Sequence, residues 1–194
     1  DPRPLEVPGE KEFLGRGVGY CVTCDGPLFA GKEVAVVGGG NSGFEAAIEL
    51  SKYCPKVYIL HSGSKPKADE LAQERVGKNK KIEIILNAKT KEIKGDKFVN
   101  LLIYEDAPSK KIKELLVKGV FVQIGYVPAT GFLKGLVDFN KKDEIKIDAV
   151  TCETKTPGLF AAGDVTNAPV KQIIVAAGDG CKAALSAYKY LQNG

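Results

Sequence analysis

The sequence contains no methionine and no tryptophan, and its 194 residues hold a single histidine, His61. One histidine and five cysteines at uneven spacing do not supply the four-ligand set of a structural zinc site. An odd cysteine count is also no framework for a disulfide-stapled secreted fold. No apolar run approaches the roughly 18–20 residues of a membrane span, and no segment has the charged and apolar regions of a secretory leader. The expectation is a cytoplasmic protein with no membrane partner. Basic residues never run to a block of five. The net charge of +4 comes from 28 basic against 24 acidic side chains, and Lys78–Lys81 and Lys110–Lys111 read as solvated loop faces, so no nucleic-acid partner is expected. The chain starts Asp1-Pro2-Arg3-Pro4 without an initiator methionine. It is therefore read as a processed or excised piece, with residues 1–14 as an extended connection.

What is present is enough to fold. Hydrophobic residues make up 44% of the chain, which allows a buried core and argues against global disorder. Val34–Val37 is a short apolar strand of the buried parallel type, followed at once by Gly38-Gly39-Gly40-Asn41-Ser42-Gly43. Phe44, Ala47, Ile48 and Ser51 then recur at helical spacing, and Lys56–Leu60 is a second strand. This is a βαβ unit suited to half of a Rossmann fold. Ala68–Val76 reads as a helix and Ile82–Leu86 as a third parallel strand. From Thr90 the pattern becomes a meander, with apolar and alternating runs separated by Gly95-Asp96 and Ala107-Pro108-Ser109. Gly119–Ile124 returns as an apolar strand. Further on, Glu144–Asp148 alternates as a strand and Leu159–Ala162 reads as a short one. Ile173 to Leu191 carries apolar residues at three-to-four spacing, as an amphipathic helix does.

Three groups of residues carry chemistry. In the glycine turn, Gly38 permits the tight bend, Gly40 lets the backbone approach a pyrophosphate, and Gly43 lets helix pack on strand. The following helix, opened by Asn41 and Ser42, presents N–H groups to the phosphates. The second strand ends at His61-Ser62-Gly63-Ser64-Lys65 with no carboxylate to read a ribose diol. His61, Ser62 and Lys65 are candidates for a 2′-phosphate, or form an ordinary polar loop. NADPH and NADH both stay open, with a lean to NADPH. The second group is Cys21-Val22-Thr23-Cys24-Asp25. A CxxC in a helical turn brings two sulfurs within bonding range and lowers the thiolate pKa of one of them, and Asp25 stands where it can deliver a proton. Inert thiols or half a metal site are the alternatives, and Cys54, Cys152 and Cys181 read as small buried hydrophobes. The third group is Gly163-Asp164 with Lys171-Gln172-Ile173 at a helix start. Asp164 is either a hydroxyl acceptor in a cofactor surface or a helix cap.

Taken together, Cys21–Phe29, Gly38–Gly43, Ile124-Gly125-Tyr126-Val127-Pro128 and Gly158–Val165 resemble the low-molecular-weight thioredoxin reductases. They are equally similar to the flavoprotein subunit of alkyl hydroperoxide reductase. Lys67-Ala68-Asp69 and the tail from Lys171 to Leu191 resemble the latter more closely. The resemblance implies an α/β fold, with a Rossmann-like parallel sheet, an antiparallel β-meander excursion and a partial second, FAD-type domain. Residues 15–124 would be the pyridine-nucleotide domain and residues 125–194 the C-terminal part of the FAD domain. It implies a redox disulfide between Cys21 and Cys24, an acid role for Asp25, and cofactor contacts at Ile124, Gly125, Gly163, Asp164, Lys171, Gln172 and Ile173. Electrons would pass from NADPH or NADH through FAD to the disulfide and on to a thioredoxin-type partner in a homodimeric enzyme. A peroxiredoxin reductase and a nucleotide-binding module without turnover are the rival readings. The second Gly-x-Gly-x-x-Gly that such families use for FAD has no counterpart here.

Overall fold

The computed structural model describes residues 1–193 and divides the chain into two units, one of residues 2–125 and one of residue 1 with residues 126–194. The first is built on a five-stranded parallel sheet. Its strands are β1 (Val18–Gly19), β2 (Val34–Val37), β3 (Val57–Leu60), β4 (Ile82–Ile85) and β8 (Gly119–Val122), in the spatial order β1-β8-β2-β3-β4. The registers run Val34↔Val57 to Val37↔Leu60 on one side of β2 and Val34↔Gly119 to Val37↔Val122 on the other. Helix α2 (Asn41–Leu50) crosses from β2 to β3, and α3 (Glu70–Gly77) from β3 to β4. Helix α3 starts where Asp69 accepts a 2.7 Å bond from the Ala72 N–H, which satisfies one of its orphan amides.

The continuous apolar strand sequences follow from burial on both faces. Side chains alternate along a strand. Val34 and Val36 therefore join Val57, Ile59 and Phe121 beneath Phe44, Ala47 and Leu50 of α2. Ala35 and Val37 face the other way, with Leu60, Val120 and Val122, into a second cluster that includes Ile93, Val99 and Leu102. That second layer is the expected meander. Strands β5 (Ala88–Gly95), β6 (Val99–Asp106) and β7 (Lys111–Leu115) form a separate antiparallel sheet in the order β5-β6-β7. The fold class read from the sequence, parallel sheet plus antiparallel excursion, is the one observed.

Most of the segment read as an extended connection, residues 1–14, is packed into this unit. Phe13 is buried, Leu5 and Val7 lie against the second cluster, and the Ile93 N–H donates to the Pro8 carbonyl at 3.0 Å. Proline-rich sequence shows only that the chain is extended. It does not show whether an extended chain lies on a core.

The second unit differs from its sequence reading in two places. Neither Glu144–Asp148 nor Leu159–Ala162 forms a strand. Each run meets only single bridging partners: Phe139↔Ile145, Ile145↔Thr166 and Glu153↔Phe160. Alternation licenses a strand, but a ladder needs a neighbour over several successive residues, and these runs are bonded instead to loops, as in Ile145 N–H to Val165 O at 2.8 Å and Ala161 N–H to Cys152 O at 3.1 Å. The long helix, α4 (Ile173–Asn193), is present as expected. Part of its apolar stripe is not covered: Ile173 is 89% and Leu191 78% exposed. No helix among the described residues is long and apolar enough to cross a membrane.

Phe121 is fully buried and meets Phe29 edge to face, with centroids 5.2 Å apart and planes at 77°. Phe121→Ala should cost about 3–5 kcal/mol, read as a lowered urea midpoint with an unchanged slope. A loss below about 1 kcal/mol would mean that the site can collapse around the missing ring.

Candidate functional site

All five parallel strands end at one edge of the sheet, and the chain leaves β1, β2 and β3 there into the segments that carry the candidate chemistry. Strand β2 runs into Gly38. Gly38 has φ +140°, and a side chain there would lie 2.0 Å from the Gln123 carbonyl oxygen. A Cβ on Gly43 would lie 2.0 Å from the Gly38 carbonyl, so α2 can approach its strand this closely only without a side chain. Gly40, the N-cap of α2, has nothing within 4 Å on its open side and contributes no side-chain cap. Asn41 does not cap either; its Oδ1 accepts a 2.7 Å bond from the Asp69 N–H. The first N–H groups of the ten-residue α2, at Asn41, Ser42 and Gly43, are thus left for an anion, and the open side of Gly40 gives a pyrophosphate room to reach them. These residues fit a dinucleotide.

Strand β3 runs into His61. The imidazole packs against the glycine turn, so that a Gly39 side chain would sit 2.4 Å from its Cγ. The His61 N–H donates to Ile85 O at 2.9 Å, while Nε2 is buried without a partner among the described residues. Ser62 and Lys65 are exposed on the loop that follows. An unpaired buried ring nitrogen beside the cradle is a group that an incoming oxygen can satisfy.

Strand β1 runs through Tyr20 into Cys21. Helix α1 (Val22–Asp25) is a single turn, and a 3-10 turn (Gly26–Phe29) continues it. Phe29 anchors the far end of this segment, with its ring where a side chain on Gly119 of β8 would be. Cys21 and Cys24 are joined in a disulfide, with Cα atoms 5.3 Å apart, and both are exposed. The Cys24 N–H donates to Cys21 Sγ at 3.2 Å. A donor aimed at a sulfur strengthens when that sulfur becomes a thiolate, so the negative charge is better held on Cys21 than on Cys24. Asp25 is half-buried, and its Oδ2 fills the place of a Gly19 side chain, 2.9 Å from where a Cβ would be. Cys54 and Cys152 are buried, and burial pushes both thiols above their ordinary range. Cys181 is exposed, contrary to its reading as a buried hydrophobe.

Two residues at this edge escape a reading of the sequence. Glu10 is 2% exposed, and its carboxylate accepts bonds from the Leu5 and Glu6 N–H groups and from the Tyr20 hydroxyl, each at 2.8 Å. Gln123, just past β8, donates from Nε2 to the Tyr20 carbonyl at 2.8 Å, and its own N–H donates to Val37 O at 2.8 Å. The only sequence signal for Gln123 is one polar side chain in the apolar run Val120–Ile124. Glu10 gives none.

In the second unit, Gly163 (φ +77°) opens a 3-10 turn (Gly163–Val165) that packs against α4, with Ala176 Cβ 3.2 Å from where a Gly163 side chain would start. Asp164, Gln172 and Ile173 are exposed around this point. Lys171 is already engaged. Its ammonium donates to the Asp164 carbonyl at 3.1 Å and to the Thr166 carbonyl, and it pairs with Glu144 at 3.1 Å. Hydrogen bonds from Asn140 and from Lys171 hold the Glu144 carboxyl below its usual range. A second glycine cradle, which a flavin pyrophosphate would need, is not among the described residues. Ile124 is half-buried and Gly125 exposed with φ +102°, both just past β8.

A family model for pyridine nucleotide-disulphide oxidoreductases matches residues 1–180. The chain belongs to that family. An alkyl hydroperoxide reductase subunit of Escherichia coli K12 is 51% identical over 191 residues, which is 97% of this chain and 36% of that protein. A protein named NADH dehydrogenase from Bacillus subtilis 168 is 49% identical over 189 residues, covering 97% of this chain and 37% of the relative. Among solved structures, Lactococcus lactis thioredoxin reductase in its FR conformation superposes with a TM-score of 0.95 at 37% identity, over 100% of this chain and 64% of the other. Thioredoxin reductase of T. acidophilum gives 0.90 at 42% identity, over 97% and 62%. The chain thus spans little more than a third of the curated relatives it matches.

Burial first, and then the Glu10 carboxylate, push the Tyr20 hydroxyl up to about 12 from 10.0. Burial and Glu33 do the same to Tyr58. Between these values the unfolded chain releases phenolic protons that the folded chain retains. Stability is therefore full below about pH 10 and falls as pH rises toward about 12. Tyr20→Phe should flatten part of that fall in urea midpoints taken across this range. An unchanged slope would disprove the Tyr20 share.

Proposed function

We propose that this chain is the nucleotide- and dithiol-bearing part, with a portion of the flavin domain, of an enzyme that passes electrons from NAD(P)H through FAD to the Cys21–Cys24 disulfide. A thioredoxin-type protein then takes them. The observation that carries this reading is the shared sheet edge: the disulfide follows β1, the uncapped glycine turn follows β2, and only β8 stands between them.

In this reading Gly40 and the amides of Asn41, Ser42 and Gly43 hold the coenzyme pyrophosphate, and Ile124 and Gly125 border its nicotinamide end. The absence of a carboxylate after β3, with His61, Ser62 and Lys65 in its place, supports NADPH over NADH. Gly163, Asp164, Gln172 and Ile173 border the flavin, and Lys171 acts by bracing their loop. Bound flavin supplies the two-electron relay between coenzyme and sulfurs. Two electrons open the Cys21–Cys24 bond, and Asp25 supplies a proton to the Cys24 thiolate. The Cys21 thiolate, stabilised by the Cys24 N–H, attacks the partner disulfide, forms a mixed disulfide and expels one partner thiolate. Cys24, deprotonated in turn, attacks Cys21 Sγ, which restores the disulfide and frees the second partner thiol. Tethering makes this resolving step fast. The same reading expects a cytoplasmic homodimer. A peroxiredoxin-linked, thioredoxin-like acceptor is the second reading, favoured by the 51% identity to the alkyl hydroperoxide reductase subunit of Escherichia coli K12.

Anaerobic titration of the flavin-loaded protein with NADPH, and separately with NADH, tests the reading. Two new thiols, at Cys21 and Cys24, should appear with nucleotide, at lower NADPH than NADH. Rates with thioredoxin and with a thioredoxin-like peroxiredoxin-reductase domain rank the two acceptors. Nucleotide binding without new thiols would leave only a binding module.

A further inference from the structure

Gln123 is bonded to both halves of the sheet-edge site. Its backbone is bound to the end of β2, through its N–H to Val37 O at 2.8 Å and through the close approach of its carbonyl to Gly38. Its side chain reaches across to the Tyr20 carbonyl at 2.8 Å. That oxygen belongs to the same planar peptide unit as the Cys21 nitrogen. Fixing the oxygen therefore fixes the plane and the N–Cα bond from which Cys21 enters α1, and the Cys21 φ of −108° then sets the direction of its Cα–Cβ bond. The Cys24 N–H to Cys21 Sγ contact depends on that direction.

We propose that Gln123 is a positioning residue for the Cys21 sulfur, acting through the Tyr20–Cys21 peptide plane to keep Sγ under the Cys24 N–H and so stabilise the Cys21 thiolate. The proposal rests on the dithiol reading above. Tyr20 supplies an internal contrast. Its hydroxyl bond to Glu10 holds the side chain, whose atoms beyond Cα are not part of that peptide unit. A merely structural role for Gln123 would make its removal resemble removal of the Tyr20 hydroxyl. A positioning role separates the two. Titratable groups beside the turn, Asp25 on α1 and the Glu10–Tyr20 pair, are all retained when only Gln123 is changed.

The test uses the full-length protein after reduction with a dithiol, with iodoacetamide alkylation of Cys21, Cys24 and Cys181 followed by peptide mass spectrometry from pH 5 to 10. In Gln123→Leu the Cys21 profile should move to higher pH, with alkylation near neutrality slowed roughly 3- to 10-fold, the span expected for one lost hydrogen bond. The Cys181 profile should stay in place. Equilibration with glutathione buffers should show a dithiol that is harder to form from the disulfide. Tyr20→Phe should lower the urea midpoint while leaving the Cys21 profile where it was. If Gln123→Leu does not fold, Gln123→Met, an unbranched chain of similar reach, carries the same measurement. A Cys21 profile and a glutathione equilibrium unchanged in a folded Gln123 variant would overturn the proposal, as would an equal shift in Tyr20→Phe. Because neither readout uses a nicotinamide coenzyme, failure here is distinct from failure of coenzyme-driven reduction.

Discussion

In a parallel sheet every strand points the same way, so every strand ends on the same edge, and the loops that leave that edge are brought together however far apart they lie in sequence. Here the constraint acts on three strands in particular. The order β1-β8-β2 places the segment after Gly19, the segment after Val122 and the segment after Val37 side by side. One of these carries two bonded sulfurs, one an uncapped helix start behind three glycines, and the middle one a glutamine bonded to both neighbours. The antiparallel layer and helices α2 and α3 cover the two faces of the sheet. They bury it, and they leave its carboxyl edge free.

The close approaches around this edge explain residues that otherwise look unremarkable. Gly19 leaves room for the Asp25 carboxylate, Gly39 for the His61 ring and Gly119 for the Phe29 ring. In each case a neighbour from a separate segment takes the space of a missing side chain. The glycines thus let three loops and two strands close on one another with little freedom between them.

How much of this is legible in the sequence depends on whether the signal is local. The glycine turn, the CxxC pair and the alternating burial of β2 and β3 are written in adjacent residues, and they can be read there as elements. The packing of residues 2–14 cannot, because Glu10 and Phe13 find their partners at Tyr20 and in the distant meander, and a polar, proline-containing stretch carries no periodicity that records such contacts. The runs Glu144–Asp148 and Leu159–Ala162 mislead for the converse reason: each has strand character, but the neighbours that would make a ladder are loops touching one residue at a time. Gln123 shows only as a polar interruption of an apolar run. Its bond to a carbonyl 103 residues earlier is a product of strand order. The apolar stripe of α4 is plain from its spacing, and the structure adds that Ile173, Ile174, Leu185 and Leu191 lie exposed along it.

The claim on which the account depends is that the carboxyl edge of the parallel sheet is where the coenzyme seats. Backbone amide chemical shifts of the protein, recorded as NADP+ and then NAD+ are added, test it most directly. The account predicts shifts concentrated at Gly38–Gly43 and at His61–Lys65, with smaller ones at Gln123 and Ile124 and none along β5–β7. Shifts absent from the glycine turn, or centred on the antiparallel sheet, would contradict it.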